Sequence, residues 1–131
     1  MTQELLKILV VEDNQDVRDL VVHILSADGF HVYAAPDGEN GLAILNSNHV
    51  DLVLLDVMMP GMSGLDVLTE IRTGSNKKIR EVPVMMITAK SGTDDIDQAL
   101  TIGANSYLVK PFRGTTIREK VRALLSESEN N

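Results

Sequence analysis

The residues with chemical promise are carboxylates, a hydroxyl and an amine, each placed at the end of a short apolar run. Residues 50–60 read VDLVLLDVMMP, and Asp56 closes the apolar part of that stretch. An ionised carboxylate at the end of a buried strand costs desolvation energy unless a cation or hydrogen-bond donors compensate it. The run KILVV at residues 7–11 leads into Glu12 and Asp13, VMMIT ends on Thr88, and residues 105–109 lead into Lys110. Three carboxylates in one small cavity repel each other and shift toward protonation. A divalent cation would remove that penalty. An all-oxygen donor set without Cys or clustered His points to Mg²⁺ before Mn²⁺ or Ca²⁺. Lys110 would add a positive charge and Thr88 a hydroxyl donor. A carboxylate nucleophile, a hard metal, a lysine and a hydroxyl meet the needs of phosphoryl transfer, in which an aspartate forms an acyl phosphate.

Each of these residues has a plainer reading when taken alone. Glu12-Asp13 could be a solvated strand end, Lys110 a surface ion pair and Thr88 a β-branched strand residue. Only a fold that gathers the strand ends makes a site of them.

Hydrophobic periodicity predicts such a fold. Asn14 is placed to cap a helix carrying Val17, Leu20, Val21, Ile24 and Leu25, with Gly29 ending it. HVYAA at residues 31–35 is a second strand, and Asp37 caps a helix with Leu42 and Leu45. Residues 51–56 are the third strand, rich in Val and Leu as in a sheet covered on both faces. Ser63 begins a helix with Leu65, Leu68 and Ile71 inward. Residues 73–81, TGSNKKIRE, are expected as a mobile polar loop. Pro83 opens the fourth strand, and Ser91 begins a fourth helix with Ile96, Leu100 and Ile102, ended by Gly103. Residues 105–109 are the fifth strand, and the fifth helix carries Ile117, Val121, Leu124 and Leu125. The polar tail at residues 126–131 is expected to fray.

Alternation of strand and helix implies a mainly parallel sheet with right-handed crossovers. The simplest fit is an α/β, flavodoxin-like (βα)5 three-layer sandwich, its five-stranded parallel sheet in the order 2-1-3-4-5. Strands 1 and 3 then flank the switch point with Glu12, Asp13 and Asp56 at their carboxyl ends. Strands 4 and 5 bring Thr88 and Lys110 to the same edge.

Composition narrows the function classes. The chain has 131 residues, of which 44% are hydrophobic, enough for one domain with a real core. Two Phe, two Tyr and no Trp make that core aliphatic. A net charge of −7 argues against direct nucleic-acid binding and against an anionic membrane. The absence of Cys excludes disulfides, thiol catalysis and thiolate metal sites. No apolar run approaches a membrane span, and residues 1–7, MTQELLK, lack the features of a secretory signal. A cytoplasmic location is the expectation. His23, His31 and His49 are scattered and are read as structural or surface residues.

The stretches ILVVEDN, VDLVLLDVMMPGMSGLDVL, PVMMITA and GANSYLVKPF, in this order and spacing, resemble the receiver (CheY-like) domains of two-component response regulators. The resemblance covers about residues 7–125 and implies one receiver domain over residues 1–131. It implies that Asp56 is the phosphoacceptor, supplied by a sensor histidine kinase or a histidine phosphotransfer protein. Asp13, Asp56 and the Met58 backbone carbonyl would bind Mg²⁺, with Glu12 holding a water on the metal. Lys110 would pair with Asp56 or its phosphate, across a cis Lys110–Pro111 bond. Thr88 would hydrogen-bond the phosphate, and Tyr107 would swing inward into the space Thr88 leaves. Such a domain catalyses its own phosphorylation and slow dephosphorylation and is not a turnover enzyme.

Phosphorylation adds charge and acceptor oxygens and can bias a two-state element. The face built from the fourth predicted helix, the fifth strand and the fifth predicted helix would report it. That face carries Asp94, Asp95 and Asp97 on one helix and Arg113, Arg118, Lys120 and Arg122 on the other. A downstream protein, an output domain of the same polypeptide or a symmetric dimer could use it. Met58 and Lys90, beside the site, are expected to slow hydrolysis of the acyl phosphate. Both a stand-alone receiver and a receiver cut from a longer regulator or hybrid kinase fit the sequence.

Three competing readings remain weaker. A haloacid-dehalogenase-like phosphatase would want an Asp two residues after the nucleophile, where this chain has Met58. A flavodoxin-like cofactor binder would want a phosphate loop after the first strand and aromatics to stack a flavin. A pseudo-receiver scaffold would lack site residues that are all present here.

Overall fold

A computed structural model describes residues 5–89 and 93–129. The elements in chain order are β1 (Lys7–Val11), α1 (Gln15–Ala27), β2 (His31–Ala35), α2 (Gly38–Ser47), β3 (Leu52–Asp56) and α3 (Gly64–Thr73). They continue with α4 (Lys77–Arg80), β4 (Val84–Thr88), α5 (Thr93–Ile102), β5 (Ser106–Val109) and α6 (Gly114–Glu129). The sheet has five strands in the order β2-β1-β3-β4-β5, all pairs parallel, as the βα alternation predicts.

Period-2 alternation splits the strands between two cores. Leu9, Val11, Val53, Leu55 and Met86 face one side, where Leu45 of α2, Val67, Leu68 and Ile71 of α3 and Ala99 of α5 cover them. Ile8, Val10, Leu52, Leu54, Met85 and Ile87 face the other side, against Val21 and Leu25 of α1 and Ile117, Val121 and Leu124 of α6. Each fully buried Leu, Ile or Met contributes roughly 1.5–3 kcal/mol. The central strands are covered on both faces, so β3 and β4 are buried throughout.

The helix starts follow local chemistry. Asn14 accepts from the Val17 amide, and Asp37 accepts from the Asn40 amide at 2.8 Å. Ser63 and Asp66 form a reciprocal capping box at the start of α3.

Three details depart from the sequence reading. Residues 73–81 are not simply a loop but contain α4, capped by Asn76, whose Oδ1 accepts from Lys78 N at 3.0 Å. Arg72 and Arg80 fasten this turn, donating to the Arg80 and Gly74 carbonyls at 2.9 and 3.2 Å. Residues 126–129, expected to fray, continue α6. Leu20 and Leu100, placed inward by periodicity, are 49% and 45% exposed. Each lies at the border of its helix's buried stripe, and on α5 Ala99 takes the core position instead. Ser91, expected to start this helix, lies outside the described residues, and α5 is described from Thr93. No helix among the described residues is long and apolar enough to cross a membrane.

Candidate functional site

Parallel pairing sets the strand ends side by side. Val11 pairs with Leu55 across β1 and β3, and Asp56 pairs with Ile87 across β3 and β4. Thr88 pairs with Val109 across β4 and β5. Glu12, Asp13, Asp56, Thr88 and Lys110 therefore meet at one edge, although they are far apart in sequence.

Carboxylate oxygens of Glu12, Asp13 and Asp56 all lie within 4.8 Å of one another. Glu12 and Asp56 are buried, at 0% and 3% exposure, while Asp13 faces solvent. Lys110 Nζ stands 2.7 Å from Glu12 Oε1 and 3.5 Å from Asp56 Oδ2. The Asn14 amide donates to Glu12 Oε2 at 3.2 Å, and the Met58 amide donates to Asp56 Oδ1 at 3.3 Å. Thr88 is 2% exposed, and the Lys110 amide donates to its carbonyl at 2.7 Å. The Lys110–Pro111 peptide is cis.

This much negative charge in so little water is not neutral in effect. Burial, followed by the neighbouring Glu12 carboxylate, pushes the Asp56 carboxyl from 3.8 up to about 8, against the opposing pull of Lys110. Burial draws the Lys110 ammonium down, but Glu12 and Asp56 outweigh it and leave its pKa raised. Glu12 Oε1 is buried and, despite the nearby ammonium, lacks a hydrogen bond of good geometry. Three carboxylates this close, with the Lys110 ammonium beside two of them, suit a hard divalent cation.

The loops that carry these groups are shaped by close approaches. Gly61 holds φ at 75°, a left-handed conformation that a side chain would strain. At Gly64 a Cβ would stand 2.0 Å from the Asp56 carbonyl oxygen, so the start of α3 presses on the Asp56 backbone. Arg18 of α1 reaches back to donate to the Glu12 carbonyl at 2.9 Å. Periodicity gives no warning of Arg18, because its partner is a backbone atom in the preceding loop.

The remaining expected positions spread away from the acids. Met58 is 68% exposed. Tyr107 is 38% exposed, with its ring outward under the Lys120 ammonium. Lys90 lies outside the described residues. His23, His31 and His49 are exposed and away from the cluster, His49 meeting Asp51 at 2.8 Å. Beside the acids, Val17, Leu20, Ala89, Lys110, Pro111 and Phe112 line a mainly apolar hollow of about 450 Å³.

A family model described as the response regulator receiver domain matches residues 8–122. The chain belongs to that family. As a receiver domain it is 41% identical over 122 residues to the transcriptional regulatory protein CpxR of Klebsiella pneumoniae, covering 93% of this chain and 50% of that protein. It is 37% identical over 124 residues to the DNA-binding response regulator MtrA of Mycolicibacterium smegmatis, covering 95% of this chain and 52% of that one. The receiver domain thus spans about half the length of these relatives. Among solved structures it matches a CheY-like response regulator receiver domain protein of Methanospirillum hungatei with a TM-score of 0.89 and 28% identity. That match covers 97% of this chain and 98% of the other. The chemotaxis protein CheY4 of Vibrio cholerae matches with a TM-score of 0.87 and 29% identity, over 92% of this chain and 99% of that one.

Proposed function

We propose that this chain, as a single receiver domain over residues 1–131, accepts a phosphoryl group on Asp56 in a two-component or phosphorelay pathway. The observation that carries the reading is one aspartate. It is 3% exposed, 3.5 Å from the Lys110 ammonium and within 4.8 Å of two further carboxylates. An Asp56 Oδ–P bond forms as the N–P bond of a donor phosphohistidine breaks, and the freed imidazole takes up a proton. Lys110 offsets charge on the transferred group and Thr88 donates a hydrogen bond to it. Asp13, Asp56 and the Met58 carbonyl would hold Mg²⁺, with Glu12 at one remove. The bound ion would supply positive charge to phosphoryl oxygens during transfer. The carboxylates of Glu12, Asp13 and Asp56, within 4.8 Å of one another, support that fit.

Tyr107 switches inward beside Thr88 after phosphorylation, and the α5–β5–α6 face passes the change to a downstream protein, to an output domain or to a second copy. Met58 and Lys90 slow hydrolysis of the acyl phosphate. The donor is a sensor histidine kinase or a histidine phosphotransfer protein, and the pathway is cytoplasmic. The test is intact-mass analysis after incubation with acetyl phosphate and Mg²⁺. Gain of one phosphoryl group, lost in Asp56→Asn and in EDTA, is the expected result. A gain that survives Asp56→Asn would place the nucleophile elsewhere. No gain in the folded protein, and none from a kinase donor, would make it a non-phosphorylated scaffold.

A further inference from the structure

Tyr107 and Lys120 make a contact that phosphoryl transfer does not use. Tyr107 lies on β5, an edge strand of the sheet. Lys120 lies on α6, and its Nζ donates to the Tyr107 carbonyl at 2.8 Å. The same Nζ stands 4.9 Å from the centroid of the Tyr107 ring. One ammonium therefore touches both the backbone and the ring of a single residue.

The contacts differ in what happens when the ring moves. The carbonyl belongs to a strand held in register through the Met86–Tyr107 pair, so it stays in place in either ring position. The ring contact exists only while the ring lies outward. Interactions common to two states leave their ratio unchanged, and only a difference between states shifts it. The carbonyl bond thus places the cation, and the cation–π attraction supplies the bias. Ile117, Val121 and Leu124 are buried against the sheet, which fixes the face of α6 on whose border Lys120 sits.

We propose that Lys120 is a positioning residue that holds the Tyr107 ring at the surface and so opposes the inward switch until Asp56 is phosphorylated. The proposal rests on the reading of Tyr107 as the switch residue.

Two tyrosines and no tryptophan make the test direct. In protein labelled with 3-fluorotyrosine, Tyr33→Phe assigns the fluorine signal of Tyr107, and a soluble gadolinium chelate reports its exposure. Lys120→Met keeps the aliphatic stem and removes the charge. It is expected to lower the outward-to-inward ratio about two- to fivefold, seen as weaker paramagnetic relaxation of Tyr107, with Tyr33 unchanged. Lys120→Arg is expected to restore the original value, because a guanidinium also sits over an aromatic face. Unchanged relaxation in Lys120→Met, failure of Lys120→Arg to restore it, or an equal change at Tyr33 would overturn the proposal. The measurement uses unphosphorylated protein, so a failure of Asp56 to accept phosphate is a separate result.

Discussion

Lys110 leans toward Glu12, at 2.7 Å, more than toward Asp56, at 3.5 Å. The ammonium pairs with two buried carboxylates, and it stands closer to the one that is not the proposed nucleophile. Asp56 Oδ1 is held from the other side by the Met58 amide.

Removing that ammonium takes away the cation beside Glu12 and Asp56 and leaves them the Asn14 and Met58 amides. Lys110→Met is expected to lower stability by about 1–3 kcal/mol, below the full cost of breaking a buried pair because Lys110 retains contact with solvent. Urea unfolding at neutral pH measures it. The same variant is expected to slow phosphorylation by acetyl phosphate, since positive charge near the transferred group is lost.

The raised carboxyl of Asp56 gives a pH dependence with a definite sign. Its folded pKa of about 8 lies above the unfolded value of 3.8, so through this range the folded state holds a proton that the unfolded state releases. The stability this group contributes is fully present below the unfolded value and is lost as pH rises through about 8. In EDTA, Asp56→Asn is therefore expected to be more stable than the parent at pH 8.5 and to lose that advantage near pH 4. Roughly 3–8 °C in melting temperature is the expected gain at the higher pH. Equal melting temperatures at both pH values would contradict it.

Mg²⁺ is expected to stabilise the protein by mass action, about 2.7 kcal/mol at a hundredfold excess over its dissociation constant. Asp13→Asn removes the one solvent-facing acid of the cluster and should abolish most of that gain. Thermal melts with and without Mg²⁺ compare the two proteins, and an unaltered Mg²⁺ response in Asp13→Asn would remove Asp13 from the ligand set.

Gly64→Ala tests the close approach behind Asp56. Its Cβ would meet the Asp56 carbonyl oxygen at 2.0 Å, and backbone on both sides leaves no flexible atom to yield. A loss of about 1–3 kcal/mol or more is expected in urea unfolding. Slower phosphorylation should accompany it, because relief requires Asp56 or α3 to move.

Arg72 joins distant parts of the sheet's other end. Its guanidinium donates to the Gly103 and Arg80 carbonyls and to Asn105 Oδ1 at 3.0, 2.9 and 3.0 Å. Arg72→Met would leave these acceptors without that donor and is expected to cost about 1–3 kcal/mol. Faster hydrogen exchange should be concentrated around residues 76–82 and 103–106. Uniform exchange across the chain would argue against a local role.

Much of the fold is legible because its signals are local or periodic. Asn14, Asp37 and Ser63 cap helices through amides three residues ahead, so short windows suffice to find them. Strands covered on both faces appear as apolar runs, and alternation of strand and helix limits the topology. Residues 73–81 misled because a polar composition conceals α4. This turn is held by Arg72 from the preceding helix and by contact of Ile79 with the core, neither visible in its own composition.

The sequence by itself determined the five βα units, the sheet order and the identity of the residues at the strand ends, since these follow from periodicity, capping and the handedness of crossovers. Only the tertiary structure decided how those ends interact: Lys110 leaning to Glu12, Arg18 reaching a carbonyl, Gly64 pressing on Asp56, and Lys120 standing over Tyr107. The physical reason is range. Local patterns set backbone conformation within a few residues, whereas charge, burial and contact depend on distances between groups that the chain brings together only when it folds.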